Sequence, residues 1–148
     1  MIKVREGKKE DLPAVYELIR ELAIYENGLD QVSNTIQKMG TDGFGPNPIF
    51  GLIVAESNTQ ITGSAIYYYR YSTWKGKRMY LEDLIVTEQE RGAGAGKLLF
   101  DEIIEIAKRT GCTGMMWQVL DWNEPAINFY KKYRANFDGE WINCNIDF

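Results

Sequence analysis

Histidine is absent from the 148 residues of this sequence. A Ser-His-Asp triad, a Cys-His nucleophile pair and a histidine-ligated zinc are therefore excluded. Cysteine is scarce as well, because Cys112 and Cys144 alone cannot form a four-ligand metal site, and nothing else indicates a disulfide scaffold. We predict no metal cofactor. Proton transfers in an enzyme of this sequence would use Glu, Asp, Tyr, Lys, Cys or water.

Long hydrophobic runs and an excess of positive charge are also lacking. No apolar run reaches membrane-spanning length, and the N-terminal stretch MIKVREGKKE does not have the pattern of a signal peptide. The net charge of -4 disfavours general nucleic-acid binding, because phosphate binding needs clustered Lys and Arg. We therefore expect a cytoplasmic protein without a membrane or nucleic-acid partner, whose acidity suits a cationic or neutral small molecule.

The residues that are present predict one folded domain over residues 1–148, since 45% are hydrophobic and 13% aromatic. The hydrophobic periodicity predicts a strand in IKVRE, a helix over residues 11–26 and a short helix over 33–40. TDGFGPNP is then predicted as a loop, followed by three antiparallel strands. A helix ending near residue 111, a strand in GMMWQVL, a helix over 125–133 and a final strand complete the order. This order indicates an α/β or α+β class built around one mixed sheet.

The stretch VTEQERGAGAGKLLFDEIIEIAKRTG places three glycines directly before a helical pattern, namely Gly92, Gly94 and Gly96. A Walker A loop is excluded because Arg91 stands where its first glycine belongs and Leu98 replaces Ser or Thr. The dinucleotide pattern G-x-G-x-x-G fails in both registers. Two interpretations remain: a run of backbone N–H groups that binds a phosphate at the helix start, or a flexible surface turn.

A family resemblance favours the first interpretation. RGAGAG contains Arg-x-x-Gly-x-Gly, which resembles the pyrophosphate-binding motif of the GNAT superfamily of acetyl-CoA-dependent N-acetyltransferases. YSTWKGK, YLEDLIV and VLDWNEPAINFYKK are similar to segments of the diamine (spermidine/spermine) acetyltransferases and their thialysine branch. The resemblance covers nearly the whole chain. It implies the GNAT fold, with a mixed, mostly antiparallel sheet flanked by helices and a splay between the fourth and fifth strands, and it implies a homodimer.

By the same resemblance, acetyl-CoA is the cosubstrate and three segments bind it. The end of the fourth strand would hold the pantetheine arm through the backbone amides of Leu84, Ile85 and Val86. The pyrophosphate would lie on the glycine loop, at Arg91, Gly92, Ala93, Gly94, Ala95, Gly96 and Lys97. The segment that lies against CoA in the family corresponds to Asn123, Glu124, Pro125 and Ala126. A side chain at Gly94 would block the approach of a phosphate to the amides.

Two residues match the family's catalytic groups. Tyr130, in NFYK, corresponds to the tyrosine that protonates the leaving thiolate, although a core tyrosine would fit the same apolar helix. Glu82, in YLED, corresponds to the acid that deprotonates or holds the amine, whose own pKa is near 10. On a regular strand Glu82 and Asp83 face opposite ways, so only one is expected in the site, and the other would be a solvated charge.

The family's substrate contacts correspond to Tyr25, Glu26, Glu82, Asp83, Met116, Trp117 and Gln118, and Trp74 would add an aromatic wall for a cation. Ser72 stands where the polyamine branch has Asp, which favours a short amine such as thialysine while leaving diamines and polyamines open. Arg134 stands where relatives usually have Gly. Two other functions remain: acetylation of a protein or peptide amine, and acetyl-CoA sensing without catalysis.

Overall fold

The computed structural model describes all residues, 1–148, and divides them into two compact units, Met1–Gln118 and Val119–Phe148. The first unit has five strands, namely β1 (Ile2–Glu6), β2 (Gly51–Ser57), β3 (Gln60–Ser72), β4 (Gly76–Val86) and β5 (Met115–Met116). Its helices are α1 (Leu12–Tyr25), α2 (Ile36–Phe44) and α3 (Ala95–Arg109). The second unit contains α4 (Glu124–Lys131). None of the helices combines the length and the apolar character needed to cross a membrane.

The sheet of the first unit follows the chain order, β1-β2-β3-β4-β5. Its first four strands are antiparallel, and β5 pairs parallel to β4. The predicted mixed, mostly antiparallel sheet is therefore confirmed. The β4–β5 ladder consists of Met79↔Met115 and Tyr80↔Met116, so the pairing ends at Tyr80. The second half of β4 is left paired with β3 alone, which opens the side of β4 on which the splay was predicted.

Helices cover both faces of this sheet. On one face, the helical spacing of α1 buries Leu12 and Val15 against a cluster that includes Met39 of α2, Val54 of β2 and Ile66 of β3. On the other face, α3 packs on β2, β3 and β4 and buries its own apolar stripe, Leu99, Phe100, Ile103 and Ile106. The β3–β4 hairpin therefore presents one side to α1 and α2 and the opposite side to α3.

Three of the predicted secondary-structure elements differ from those in the structure. The final strand does not form, and residues 132–148 contain no strand, because apolar and polar alternation cannot make a strand without a neighbour to pair with. The strand in GMMWQVL is limited to Met115–Met116. The second helix begins at Ile36, where the Thr35 hydroxyl caps the Lys38 N–H at 3.1 Å, and it extends into the predicted loop as far as Phe44.

In the second unit, α4 is delimited at both ends by local interactions. The Asn123 side-chain oxygen accepts a hydrogen bond from the Ala126 N–H at 3.3 Å, and Pro125 occupies the first turn, where its missing N–H costs nothing. After the helix, Arg134 adopts a left-handed conformation with φ 57°. That conformation favours glycine, so Arg134 is under local backbone strain.

Candidate active site

The glycine loop precedes α3 and leaves open space beside its backbone. Gly92 and Gly94 have φ values of 87° and 95°, a conformation that side chains other than glycine rarely adopt. The first bond of the helix runs from the Leu98 N–H to the Gly94 carbonyl oxygen at 3.1 Å. The backbone N–H groups before Leu98 therefore have no acceptor within the helix, and the helix dipole makes this end attractive to an anion. A β-carbon at either glycine would meet no atom within 4 Å, so the space beside the loop is open.

Two basic side chains of the loop make local contacts. Arg91 donates from Nε to the Val86 carbonyl oxygen at 3.0 Å, and its guanidinium lies 5.5 Å from the centroid of the Tyr25 ring. Lys97 pairs with Asp101 one turn further along α3, at 2.6 Å. Anion binding in this state falls to the backbone amides. Arg91 also brings a predicted cofactor residue into contact with a predicted substrate residue at the end of α1.

Glu21 of α1 is a residue that the sequence did not single out. Its carboxylate accepts hydrogen bonds from the Thr87 hydroxyl at 3.0 Å and from the Glu88 N–H at 2.9 Å. These bonds tie the middle of α1 to the point where the chain leaves β4 for the glycine loop. Only the tertiary structure reveals this contact, because nothing in the helical pattern distinguishes Glu21 from other polar residues of α1.

A β-bulge in β4 interrupts the alternation of its side chains. In the β3–β4 ladder Tyr67 pairs with Leu81 and Ile66 pairs with Asp83, so Glu82 is an extra residue without a cross-strand partner. Cross-strand partners share a face, and Ile66 lies in the cluster beneath α1 and α2. Asp83 is therefore on the α1–α2 side of the sheet. The expectation that adjacent acids must face opposite ways applies to a regular strand and does not hold at this bulge.

Glu82 is held on this same side of the sheet by Tyr68, which stacks on Tyr80. The Tyr68 hydroxyl donates a hydrogen bond to Glu82 Oε1 at 2.9 Å, and the Tyr68 ring stacks on Tyr80 with centroids 5.2 Å apart. Burial and the negatively charged Glu82 carboxylate raise the pKa of Tyr68 above its usual value. The hydroxyl therefore keeps its proton and remains a donor to Glu82 at physiological pH.

The acids around the bulge concentrate negative charge. Burial, together with the negative charges of Glu82 and Glu26, raises the pKa of Asp83 to about 6. Burial also raises the pKa of Glu26, at the end of α1. None of the three acids forms a salt bridge. A bound ammonium group would relieve this repulsion, so the cluster is suited to a cationic ligand.

The other predicted substrate residues occupy different places. Met116 pairs with Tyr80 and contacts the guanidinium of Arg70, so it borders the face that carries the acids. Trp117 packs edge-on against Phe100 of α3 at 5.2 Å, on the opposite face. Gln118 ends the first unit. Trp74 is 87% exposed at the tip of the β3–β4 hairpin, about 25 Å of strand away from Glu82, and does not join the acid cluster.

In the second unit, Tyr130 is buried, at 8% exposure, on α4. Its ring makes an edge contact with Phe129 at 5.4 Å. The Asn123 side-chain oxygen caps the N-terminus of α4. The start of this helix therefore coincides with the predicted CoA-binding segment, which is Asn123, Glu124, Pro125 and Ala126. The buried position of Tyr130 is compatible with either interpretation of this residue.

Comparison with known proteins decides the family. Residues 12–135 match the Acetyltransferase (GNAT) family. The chain belongs to the GNAT acetyltransferase family. It is 38% identical over 142 residues to the thialysine N-epsilon-acetyltransferase of Bos taurus, covering 90% of this chain and 84% of that protein. It is also 38% identical over 135 residues to the spermidine/spermine N(1)-acetyltransferase-like protein 1 of Homo sapiens, covering 86% of this chain but 19% of that longer protein.

Solved structures support the same GNAT fold. An integron cassette protein from the mobile metagenome of V. cholerae superposes with a TM-score of 0.78 at 24% identity, covering 99% of this chain and 93% of that one. GNAT acetyltransferases use acetyl-CoA as cosubstrate. The residues present fit that group, because the positive-φ glycines leave open space beside a helix start whose amides lack acceptors.

Proposed function

We propose that this GNAT acetyltransferase moves the acetyl group of acetyl-CoA to the primary amine of a small cationic substrate. The candidates are a thialysine-like amino acid, a diamine or a polyamine. The observation that carries the proposal is the bulge in β4, which places Glu82 and Asp83 on one side of the sheet with Glu26 nearby. An unpaired acid cluster on the strand that leads into an anion-binding loop suits an ammonium ligand beside a CoA thioester.

In this proposal the backbone carries most of the cosubstrate binding. The amides of Leu84, Ile85 and Val86 are on the part of β4 that β5 leaves unpaired, and they would hold the pantetheine arm. Arg91, Lys97 and the five small residues from Gly92 to Gly96 would form the pyrophosphate cradle, and the segment from Asn123 to Ala126 would lie against CoA. When bound, acetyl-CoA supplies an activated acetyl thioester.

The acids prepare the amine. A primary ammonium has a pKa near 10, so it must lose a proton before its nitrogen can attack. Glu82, held by the Tyr68 hydroxyl, is the proposed acceptor, directly or through water. Asp83 and Glu26 would attract and hold the cation, together with Tyr25 and Met116.

Tyr130 is the proposed general acid. A phenol keeps its proton at neutral pH and can give it to a strong base such as a departing thiolate. The support is its place in NFYK, which resembles the family's segment, and its location on a capped helix. The homodimer and the cytoplasmic location remain predictions from the resemblance and the composition.

The test measures acetyl-CoA-dependent thiol release against thialysine, lysine, ornithine, putrescine, spermidine, spermine and a basic peptide. We expect turnover on small amines and little on the peptide. Tyr130→Phe should lower kcat roughly 100-fold or more while leaving acetyl-CoA binding unchanged. Gly94→Val should weaken acetyl-CoA binding. Its β-carbon meets no atom within 4 Å, but the φ of 95° strains a β-branched residue, so the free energy of unfolding should also fall by roughly 1–3 kcal/mol.

Each alternative function has its own outcome. Turnover on the peptide alone would replace the small-amine proposal with acetylation of a protein amine. Acetyl-CoA binding without turnover on any of these amines would indicate a sensor. Full activity of Tyr130→Phe across the pH range would show that Tyr130 is a core residue rather than the general acid.

A further inference from the structure

The face of the β3–β4 hairpin beneath α1 and α2 carries opposite charges at its two ends. Tyr68 pairs with Tyr80 in the middle of this face, and Asp83 lies toward the end of β4 with the other acids. In the opposite direction the next cross-strand pair is Arg70 and Arg78. Residues two apart on a strand share a face, so both arginines lie on the side that carries the acids.

The two arginines differ in how their donors are used. Arg78 donates from Nη2 to the Met115 carbonyl oxygen and lies against Gly114, so it supports the chain entering β5. Arg70 is exposed and forms no salt bridge, and its guanidinium contacts the sulfur of Met116. A guanidinium has five N–H donors in a planar fork that matches a carboxylate, and a thioether is a weak acceptor. Arg70 therefore keeps most of its hydrogen-bonding capacity.

The charge of Arg70 acts on the centre of the site. It opposes the effects that raise the pKa of Tyr68 and of Tyr80, so the guanidinium is electrostatically close to both rings. Tyr68 in turn bonds Glu82. The stacked tyrosines thus separate a negative end, at the bulge, from a positive end, at Arg70.

We infer that Arg70 binds the carboxylate of the amine substrate and so selects amines that carry a carboxylate at their other end. This inference rests on the proposed function. Arg70 is two residues, or about 7 Å, along β3 from Tyr68, whose hydroxyl contacts Glu82. The terminal nitrogen and the carboxylate of an extended basic amino acid are also roughly 7 Å apart, so the amine of one molecule can lie at the Tyr68–Glu82 hydrogen bond while its carboxylate meets the Arg70 side chain.

The same arrangement disfavours a diamine. Its second ammonium would approach the guanidinium of Arg70, and like charges repel. Ser72, the next residue on this face, offers no compensating acid, and its hydroxyl accepts bonds from the Trp74 and Lys75 N–H groups in the hairpin turn. Arg70 thus determines specificity in two ways, because its guanidinium attracts the carboxylate of an amino acid and repels the second ammonium of a diamine.

The experiment compares pairs of substrates that differ by one carboxylate, namely lysine with cadaverine and ornithine with putrescine. The wild-type protein should prefer the amino acid of each pair. Arg70→Met should reduce that preference roughly tenfold to a hundredfold, mainly through KM for the amino acid, with KM for acetyl-CoA unchanged. Arg70→Lys should restore part of the preference. Lys75→Met removes the same charge from the exposed hairpin turn and should leave the preference unchanged.

Binding of each substrate, measured calorimetrically with CoA present, keeps this test independent of turnover. Loss of amino-acid binding in Arg70→Met would support the inference even if no acetyl transfer occurred, in which case only the proposed function would fail. An unchanged preference in Arg70→Met, or equal losses for lysine and cadaverine, would overturn the role of Arg70 while leaving amine acetylation intact. Failure of the wild-type protein to bind any of the four molecules would overturn the role of Arg70, and the proposed function would then depend on thialysine and the polyamines.

Discussion

Charged side chains are paired at the β1–β2 end of the sheet and lack a salt bridge around the bulge in β4. Arg5 of β1 binds both oxygens of Asp11, at 2.8 and 3.0 Å, and also reaches Glu56 of β2. The Arg5 hydrogen bonds hold the pKa of Asp11 below its usual value. Asp83 is the opposite case, because burial and neighbouring acids raise its pKa to about 6.

Asp11 and Asp83 are thus in opposite electrostatic environments. At the β1–β2 end, the partner charge is part of the chain, and the interaction stabilises the fold. Around the bulge, Asp83 has a raised pKa and no partner cation, so a cationic ligand would relieve this perturbation, and the exposed Arg70 has no partner anion. Perturbed, unpaired groups of this kind concentrate at functional sites.

The largest expected effect on activity comes from a substitution of Glu82, at the bulge in β4. Glu82→Gln keeps the shape of the side chain but removes its charge, so kcat/KM for the amine should fall about 100-fold to 1000-fold. Because Glu82 is exposed, the free energy of unfolding should change by less than about 1 kcal/mol. Steady-state kinetics with urea unfolding checks both expectations, and an unchanged KM and pH profile would make Glu82 structural.

Removing the Arg5–Asp11 ion pair should lower stability and leave activity unchanged, the reverse of the result expected for Glu82→Gln. Arg5→Met leaves the largely buried Asp11 carboxylate without its main partner, so the free energy of unfolding should fall by about 2 kcal/mol at pH 7. Activity below the melting transition should be unchanged. The pKa of Asp11 is depressed in the folded state, so this loss should be fully present above pH 4 and should diminish as the pH falls and the carboxyl becomes protonated. Thermal unfolding across this pH range measures it, and a loss that persists unchanged in acid would point to packing instead.

Asp83→Asn should raise the free energy of unfolding, whereas Arg5→Met lowers it, and the effect should depend on pH over a different range. In the folded state the Asp83 carboxyl keeps its proton up to about pH 6, whereas the unfolded chain releases it near its ordinary value of 3.8. Stability of the wild-type protein therefore falls as the pH rises from about 4 to 6, and the substitution should recover about 2 kcal/mol above that window. KM for the amine should rise at the same time. A variant that is less stable than wild type at pH 7 would contradict the assignment of Asp83 as an unpaired buried acid.

The sequence predicted the elements that depend on local patterns. The apolar spacing of α1 and α3 and the glycines at Gly92 and Gly94 are local features, and the structure places helices and a left-handed turn there. The bulge at Glu82 could not be predicted, because it is a property of the register between two strands. For the same reason, strand alternation predicted that Glu82 and Asp83 would face opposite ways, and it did not predict that Arg70 would lie beside Tyr80.

The final strand failed for a related reason. The segment after α4 has the composition of a strand, and its Trp141, Ile142 and Ile146 side chains are exposed. Strand formation needs a partner backbone as well as a suitable composition. The candidate site residues show the same distinction, since Tyr130 was proposed from its neighbours in sequence, whereas the contacts of Glu21 and Tyr68 are visible only in the structure.

The smallest expected effect tests how the unpaired acid is held. Tyr68→Phe removes the hydroxyl that bonds Glu82 but keeps the ring that stacks on Tyr80, so kcat/KM for the amine should fall about tenfold. Tyr71→Phe, on the same strand and 75% exposed, is the matched control. If Tyr68 acts through Glu82, its effect should disappear when Glu82→Gln is already present, because two residues in one interaction are not additive. Additive losses in the double variant would instead mean that Tyr68 contacts the substrate itself, and the face would then bind the amine through the tyrosines as well as through the acids.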